Sequence, residues 1–348
     1  MRKRAPAPRT NTVLVFVPGG MGSQLELGKD LVWNDGVVGW LDSLKMIRNP
    51  AMALPWVPLN APACLSFYDS FISFLGECGY TKDIGNLLVW PYDWRISFEE
   101  TGNRLNSEIN RKLSEEFRGK KIVFICHSLG CMVVRWALLY SKPDIRSSVE
   151  RVIAAAPPGL GIPAVFREML ELTIGSTWLQ SKALAAIKAI SRYNIDIPII
   201  RVARAVTSLL DLLPPDSMPI LTTGDGGQIG TFAWKGWPDE LSELRKSVLA
   251  RRARRASSWK PISRTLIASN QHSTESAYVL KRGDDAIAFK RWDKGDESVT
   301  YISARAYMDL TPADQVKLPD TEVLVASPHG GLLDDSAART AIANLIHE

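Results

Sequence analysis

The sequence predicts a fold of the α/β class, in which a mostly parallel central sheet is flanked by helices and interrupted by a mainly helical insertion. Short apolar runs with the length of strands alternate with amphipathic helical segments along most of the 348 residues, as βαβ units require. A glycine-rich turn follows the first apolar run, and a serine turn joins a later run directly to a helix. Between residues 158 and 261 the pattern changes to a helical periodicity.

The first strand is predicted at residues 12–17 and ends in the turn PGGMGS at 18–23. Because glycines leave backbone N–H groups uncovered, this turn is either an oxyanion loop or an ordinary glycine turn. The elements predicted between it and the serine turn are a helix at 65–75 that continues to Gly79, a strand at 87–90, the loop PYDWR at 91–95 and an amphipathic helix at 97–117.

The most informative segment is CHSLGC at 126–131, which follows an apolar run at 122–125 and opens a helical stretch. It matches the G-x-S-x-G turn of the α/β-hydrolase fold, with Cys126 in the place of the first glycine and Ser128 at the apex. Small residues two positions either side of the serine let strand and helix approach closely, and the helix N-terminus directs free N–H groups at an oxyanion. We therefore expect Ser128 to be the nucleophile of an α/β-hydrolase fold.

A mainly helical insertion is predicted after the next strand, which lies at 151–156. We expect residues 1–157 and 262–348 to form the hydrolase core, with a disordered basic tail at 1–11, and residues 158–261 to form a cap over the active site. The alternative is an additional helix layer of the core without a gating function. The apolar faces of the insertion are formed by Ile162, Val165, Phe166, Met169 and Leu170, by Ala183, Ile187 and Ile190, and by Val202, Val206, Leu209, Leu210 and Leu213.

The general base is predicted from the position of the histidines. His329 follows the last predicted strand, at 321–326, and precedes a terminal helix at 336–346. This is the base position in the chain order Ser…Asp…His. The other three histidines are placed less well: His127 should point away from the nucleophile, His272 lies in a polar loop after the strand at 264–270, and His347 is the penultimate residue. We therefore predict that His329 is the base.

The carboxylate that orients the base is predicted in a loop after the later strands. Asp296 in the segment GDESV at 295–299 is the first candidate, because a glycine-led turn exposes the carboxylate. Asp293 is the second candidate. Asp284 and Asp285 lie within a predicted hairpin over 277–291, where they could be turn residues.

Composition favours a globular protein without bound cofactor. Hydrophobic residues make up 46% and charged residues 23% of the chain, and the apolar runs are far shorter than the ~20 residues that a membrane-spanning helix needs. The basic start is not followed by the long apolar run of a signal peptide, so we expect a cytoplasmic location. Cys64 and Cys78 lie at either end of a predicted helix, too far apart for a disulfide, and no Cys-x-x-Cys spacing indicates a metal site. We expect no cofactor.

The net charge of +5 comes largely from two arginine- and lysine-rich clusters, at 2–4 and 251–255. Neither cluster is interleaved with aromatic residues, so we expect no nucleic-acid binding. The second cluster is either a solvated helix end or a point of peripheral contact with an anionic membrane. Nothing in the sequence specifies an oligomeric state.

Several separated segments together resemble the lecithin:cholesterol acyltransferase family, which includes lysosomal phospholipase A-type enzymes. The resemblance implies an α/β-hydrolase that acts on lipid esters. It also implies that the backbone N–H groups of Met21 and Leu129 form the oxyanion hole, whereas we interpret Asp93 and Arg95 as a structural ion pair. The matching segments are VPGGMGSQLE at 17–26, Gly79 and Tyr80 leading to PYDWR at 91–95, HSLGC at 127–131, LLP at 212–214, GDESV at 295–299 and HGGLLDD at 329–335.

The expected function is hydrolysis of lipid esters, or acyl transfer from them to an alcohol, through Ser128, His329, Asp296 and an acyl-enzyme. One alternative keeps the chemistry but uses a small soluble ester or thioester. Another is a catalytically silent hydrolase fold that serves as a binding module. The presence of all three residues argues against silence, because packing requires none of them.

Overall fold

A computed structural model describes residues 8–34, 59–170, 206–237, 239–254, 256–281, 287–307 and 320–348. The strands of these ranges are β1 (Thr12–Val17), β2 (Leu25–Leu27), β3 (Asp30–Trp33), β4 (Leu87–Val89), β5 (Lys121–His127), β6 (Val149–Ala155), β7 (Leu221–Thr222), β8 (Gln228–Ile229), β9 (Ser263–Ser269), β10 (His272–Leu280), β11 (Ile287–Gly295) and β12 (Thr321–Val325). The helices are α1 (Asp69–Glu77), α2 (Phe98–Ser114), α3 (Leu129–Leu139), α4 (Pro163–Leu170), α5 (Thr207–Asp211), α6 (Ser242–Arg252), α7 (Tyr301–Ala306) and α8 (Ser336–His347). Short 3₁₀ turns lie at Ser66–Tyr68, Arg146–Ser148, Asp239–Leu241 and His329–Gly331.

Six strands form the central sheet, in the order β12–β9–β6–β5–β1–β4, and every neighbouring pair is parallel. Strands β1 and β5 are buried on both faces, as the central strands of a covered parallel sheet must be. Val17 at the end of β1 is in register with Cys126 near the end of β5. The loops that follow these two strands therefore leave the sheet at the same edge.

Helices cover both faces of this sheet. Alternate residues of β1 separate to the two sides: Val15 joins a core that includes Ile109 of α2, whereas Phe16 joins a core that includes Phe71 of α1 and Ile342 of α8. The protein is thus a three-layer α/β structure with a parallel sheet in the middle, and it has the α/β-hydrolase fold predicted from the sequence.

Helices α2 and α8 each begin at a side chain that caps the first turn. Ser97 accepts a hydrogen bond from the backbone N–H of Glu100 and starts α2. Asp335 accepts hydrogen bonds from the N–H groups of Ala337 and Ala338 and starts α8. Such caps satisfy the free donors of a first helical turn, which explains why both helices begin where the sequence predicted.

The insertion contributes helices α4, α5 and α6 and also the two short strands β7 and β8. Strand β7 pairs with β10 in parallel, and β10 pairs with β11 in an antiparallel hairpin, which gives a second sheet in the order β11–β10–β7–β8. This sheet joins strands from both sides of the predicted boundary at residue 261. The division into core and cap stays a prediction, and the predicted face of Ala183, Ile187 and Ile190 lies outside the described residues.

The first apolar face of the insertion is covered by the protein itself. Ile162, Val165 and Phe166 are fully buried, and the ring of Phe166 contacts those of Trp234 and Tyr278. The side chains of Met169 and Leu170 lie outside the described part of the chain. The three buried residues are therefore core residues, and they do not line an open site for an acyl chain.

Arginines of the second basic cluster are bound within the protein. Arg251 forms an ion pair with the buried Asp211. Arg252 donates to the backbone oxygen of Asp211, and burial lowers its pKa to about 10. Arg254 pairs with Glu99, and Arg255 lies outside the described residues. Arg251 and Arg252 thus join α6 to α5, and Arg254, just after α6, joins this segment to α2. The membrane contact considered for this cluster stays a prediction.

The beginning of the chain is also held against the core where it is described. Residues 1–7 of the predicted tail lie outside the described residues. Arg9 donates to both carboxylate oxygens of Glu150, at 2.7 and 2.8 Å, and its N–H donates to the hydroxyl of Tyr80. The expectation of a disordered tail is therefore wrong at Arg9. Within the described ranges, no helix combines the length and the apolar composition needed to cross a membrane.

Candidate active site

Ser128 occupies a tight turn between β5 and α3 and has the left-handed backbone conformation φ 51°, ψ −125°. Its N–H donates to the backbone oxygen of Ala155 at the end of β6, at 2.8 Å. Gly130 allows the turn to form, because a Cβ there would overlap the backbone oxygens of Val17 and Pro18. Cys126, in the place of the first glycine, is fully buried and is accommodated. The turn therefore has the backbone geometry expected of a nucleophile elbow.

His329 joins Ser128 to Asp296 through its two ring nitrogens. Its Nε2 lies 3.0 Å from the Oγ of Ser128, and its Nδ1 lies 2.9 Å from Oδ2 of Asp296. The three residues come from the turns after β5, β12 and β11, and they meet at the carboxyl edge of the central sheet. A base at these distances can take the serine proton, and a carboxylate on Nδ1 favours the ring orientation and tautomer that this needs.

Asp296 is held in place by its own loop. The residue is buried, and its Oδ1 accepts hydrogen bonds from the N–H groups of Ser298 and Val299, at 3.0 and 2.7 Å. One carboxylate oxygen thus binds the loop and the other faces the imidazole. Charge on a buried carboxylate is stabilised by such N–H donors.

The other acidic candidates are placed differently. Asp293 lies within the exposed strand β11, and its carboxylate accepts a hydrogen bond from the N–H of Lys294. Asp284 and Asp285 lie outside the described residues. His272, an alternative base, uses its Nε2 to donate to the backbone oxygen of Ala326 at 2.6 Å. Of the two candidate aspartates that lie in the described ranges, Asp296 is the one joined to His329.

Met21 lies in the loop after β1, in which Gly19 is the residue packed against Ser128. It has a left-handed φ of 60°, and its backbone oxygen accepts a hydrogen bond from Nε1 of Trp33, at 3.0 Å. The same loop is fixed at Pro18, whose backbone oxygen accepts a hydrogen bond from the hydroxyl of Tyr92. Leu129 is the first residue of α3, where backbone N–H groups have no acceptor within the helix. Leu129 thus directly follows the serine, and Met21 belongs to a loop whose backbone is fixed by hydrogen bonds. Their role in an oxyanion hole stays a prediction.

Tyr68 and His127 are two buried residues of the site that the sequence did not identify as connected. The N–H of Gly19 donates to the Tyr68 hydroxyl, at 2.8 Å, and that hydroxyl lies 2.8 Å from Nδ1 of His127. The Nε2 of His127 lies 3.1 Å from the backbone oxygen of His329. Burial lowers the pKa of His127 to about 3, so its ring is neutral at ordinary pH. From the sequence we predicted that His127 points away from the nucleophile. No local sequence pattern indicates that it contacts Tyr68.

The segment PYDWR contains a buried ion pair. Arg95 donates from Nε and Nη2 to the two carboxylate oxygens of Asp93, at 2.9 and 2.7 Å. The backbone oxygen of Arg95 accepts a hydrogen bond from the N–H of Ser208 in α5. The pair therefore holds the loop to which α5 of the insertion is hydrogen-bonded, which agrees with the predicted structural role.

The four cysteines are free thiols. Within the described residues, no group of three or more His, Cys, Asp and Glu side chains is arranged to hold a metal ion.

Comparisons with known proteins agree with this architecture. The model of the lecithin:cholesterol acyltransferase family matches residues 61–235, which is about half of the chain and includes Ser128. A chain in the crystal structure of the Tle4–Tli4 complex aligns with 96% of this chain and 98% of its own length, at 13% identity and a TM-score of 0.61. The mature lipase BlEst2 of Bacillus licheniformis aligns with 99% of this chain and 96% of its own, at 11% identity and a TM-score of 0.48. No curated protein matches the sequence.

Proposed function

Because the chain belongs to the lecithin:cholesterol acyltransferase family, we propose that it is a serine hydrolase or acyltransferase that cleaves lipid esters through Ser128, His329 and Asp296. Family and fold support an ester-acting hydrolase or acyltransferase, and the assignment of the three residues is our proposal. The observation that carries it is the position of the His329 imidazole, within 3.0 Å of the serine oxygen and 2.9 Å of the carboxylate.

In the first half of the reaction, the Ser128 oxygen forms a bond to the ester carbonyl carbon while His329 takes the serine proton at Nε2. The resulting oxyanion is bound by the backbone N–H groups of Met21 and Leu129. The carbon–oxygen bond to the alcohol then breaks, and His329 returns its proton to the departing oxygen. Asp296 stabilises the imidazolium between these two transfers.

In the second half, His329 takes a proton from water or from an acceptor alcohol, whose oxygen attacks the acyl carbon. The bond to Ser128 breaks, and the serine oxygen recovers its proton from His329. When water is the acceptor the product is a free acid, and when an alcohol is the acceptor the product is a new ester. One site therefore supports both hydrolysis and transfer, and the choice depends on the acceptor that reaches it.

A lipid substrate is favoured by the apolar side chain of Phe67 beside the catalytic loop. Phe67 is 47% exposed. Its ring lies next to Gly330, the residue after His329, and 6.5 Å from the ring of His127. This position suits contact with an acyl chain that leads away from the reacting carbonyl. A small soluble ester would not use it.

Labelling with a fluorophosphonate, together with an ester chain-length series, tests this function. The wild type should be labelled and should turn over long-chain esters better than acetate esters, whereas Ser128→Ala should do neither. Ser107→Ala, at an exposed position of α2, is the matched control and should behave as the wild type. Equal labelling of Ser128→Ala would exclude this nucleophile. A preference for short esters would favour the soluble-ester alternative, and no labelling of the wild type would favour a silent binding module.

A further inference from the structure

Four groups join the glycine-rich loop to the catalytic histidine through the protein interior. They are the N–H of Gly19, the hydroxyl of Tyr68, the imidazole of His127 and the backbone oxygen of His329, with successive distances of 2.8, 2.8 and 3.1 Å. Tyr68 is 3% and His127 4% exposed, so water does not compete for these hydrogen bonds. We call this the Tyr68–His127 bridge.

The direction of each hydrogen bond follows from the chemistry of its atoms. Gly19 can only donate, so it occupies a lone pair of the Tyr68 oxygen. The neutral His127 ring carries one proton. If that proton were on Nδ1, the bare Nε2 would face a carbonyl oxygen at 3.1 Å, and two acceptors would meet. The proton is therefore on Nε2, which donates to the oxygen of His329, and Tyr68 donates to Nδ1.

The protonation states of both residues agree with this direction. Burial, and next the nearby His329, lower the pKa of His127 to about 3. Burial raises the pKa of the Tyr68 phenol above its ordinary value. Both side chains thus stay neutral over the range in which a serine hydrolase works, and the bridge keeps one arrangement while His329 gains and loses its proton.

The bridge fixes two parts of the proposed machinery relative to each other. On one side it binds Gly19, two residues before Met21. On the other side it binds the backbone of His329, whose N–H already donates to the backbone oxygen of Asp296, at 2.8 Å. The backbone of the base is thus held from two directions. Tyr68 also fits closely against the loop, since a Cβ at Gly22 would overlap its ring.

We propose that Tyr68 and His127 are positioning residues that hold the oxyanion loop and the general base in one geometry. This inference rests on the proposed function, because it concerns the same serine chemistry. Neither side chain touches the reacting atoms. They act through Gly19 and His329, so their loss should reduce kcat more than it raises KM. A misplacement of catalytic groups by about 1 Å can lower a rate roughly 100-fold.

Three variants separate hydrogen bonding from packing. Tyr68→Phe removes only the hydroxyl. His127→Leu fills the space without polar atoms, and His127→Gln can both accept from Tyr68 and donate to His329. With a short soluble ester, we expect the first two variants to lower kcat by roughly 10-fold to 100-fold with KM within about twofold. The kcat of His127→Gln should stay within about threefold of the wild-type value. The kcat of the double variant Tyr68→Phe/His127→Leu should be no lower than that of the more impaired single variant, because either substitution alone already breaks the bridge.

The controls separate failure of this inference from failure of the proposed function. Turnover by the wild type but not by Ser128→Ala upholds the function; wild-type kcat in Tyr68→Phe, or equal losses in His127→Gln and His127→Leu, would then overturn the bridge alone. Absence of turnover in the wild type would overturn both. Nitrogen-15 spectra of the histidine rings give a readout independent of activity: at pH 7 we expect His127 protonated on Nε2 and bare on Nδ1. The opposite tautomer would contradict the inference.

Discussion

Asp296 and His329 are joined twice, once through side chains and once through the backbone. The imidazole Nδ1 lies 2.9 Å from the carboxylate, and the backbone N–H of His329 donates to the backbone oxygen of Asp296, at 2.8 Å. The loops after β11 and β12 therefore form one unit. The orientation of the imidazole does not depend on a single flexible contact, which is the condition for efficient proton transfer.

This relationship predicts unequal effects of the two neighbouring aspartates. Asp296→Asn should lower kcat by roughly 10⁴-fold, because an amide supports the wrong tautomer of His329. Asp293→Asn is the matched control, since that exposed carboxylate accepts a hydrogen bond from the N–H of Lys294 and is not joined to His329. Its kcat should stay within about twofold of the wild type. Steady-state kinetics of both variants test this. A larger loss of kcat in Asp293→Asn than in Asp296→Asn would assign the orienting carboxylate to Asp293 instead.

The glycine at the serine turn should resist substitution. Gly130→Ala would place a Cβ against the backbone oxygens of Val17 and Pro18, so either the fold loses stability or the loop after β1 moves. We expect a loss of about 1–3 kcal/mol in the free energy of unfolding, with a fall in kcat. Gly76→Ala in α1 is the control, because a Cβ there meets nothing closer than 4.0 Å. Comparable urea unfolding curves for the two variants would contradict the close approach.

The left-handed conformation of Met21 predicts a dependence on side-chain branching. Met21→Leu keeps both the backbone N–H and an unbranched Cβ, and kcat should change by less than about threefold. Met21→Val places a branched Cβ at φ 60°, which such residues avoid. We expect it to shift the loop and to lower kcat roughly 10-fold to 100-fold, somewhat less than the roughly 10²–10³-fold cost of losing an oxyanion donor outright. Equal rates would show that this N–H is not used.

The buried His127 predicts a loss of stability in acid. Its pKa is about 3 in the folded protein and about 6.5 in the unfolded chain, so the unfolded chain binds the proton first as the pH falls. The contribution of the neutral His127 ring to the free energy of unfolding is fully present above pH 6.5. It is lost progressively towards pH 3, by up to about 4 kcal/mol. His127→Gln removes the titrating group. Urea unfolding between pH 4 and 7 should therefore show a shallower pH dependence in this variant than in the wild type, and parallel curves would refute the prediction.

The arginines of α6 should act on stability and not on membranes. Arg251→Gln leaves Asp211 buried without its ion-pair partner and should cost about 3 kcal/mol of unfolding free energy. Arg254→Gln, at an exposed pair with Glu99, should cost less than about 1 kcal/mol. Sedimentation with phosphatidylglycerol liposomes should be the same for Arg254→Gln as for the wild type. A clear loss of binding would restore the membrane interpretation.

The sequence predicted the central sheet and the serine turn because local patterns determine them. Strand β1 has the predicted bounds, and the capping side chains of α2 and α8 stand where those helices begin. Chain order alone singled out His329 as the candidate base, and the structure brings its imidazole within reach of Ser128 and Asp296. Asp296 stayed open against Asp293 because the sequence does not say at which residue β11 ends, and the end of a strand decides which carboxylate reaches the sheet edge.

The rest of the site depends on contacts between distant residues. Tyr68 and His127 are 59 residues apart, and only the packing of α1 against the sheet brings them together. The pairing of β7 with β10 joins the insertion to a later hairpin, which strand patterns cannot specify. In the sequence, the arginines at the end of α6 and just after it look like a free basic cluster, because their partners Asp211 and Glu99 come from other helices.

The central claim is that an acyl group is carried by Ser128, and mass spectrometry of the acid-quenched reaction tests it most directly. The protein is mixed with a long-chain ester for less than one turnover, quenched, digested and analysed at the peptide that contains residues 122–135. We predict an added acyl mass located on Ser128, formed as fast as the alcohol is released, and absent from His329→Ala. Release of alcohol by the wild type without acylation of Ser128, or with the acyl group on another residue, would contradict the account.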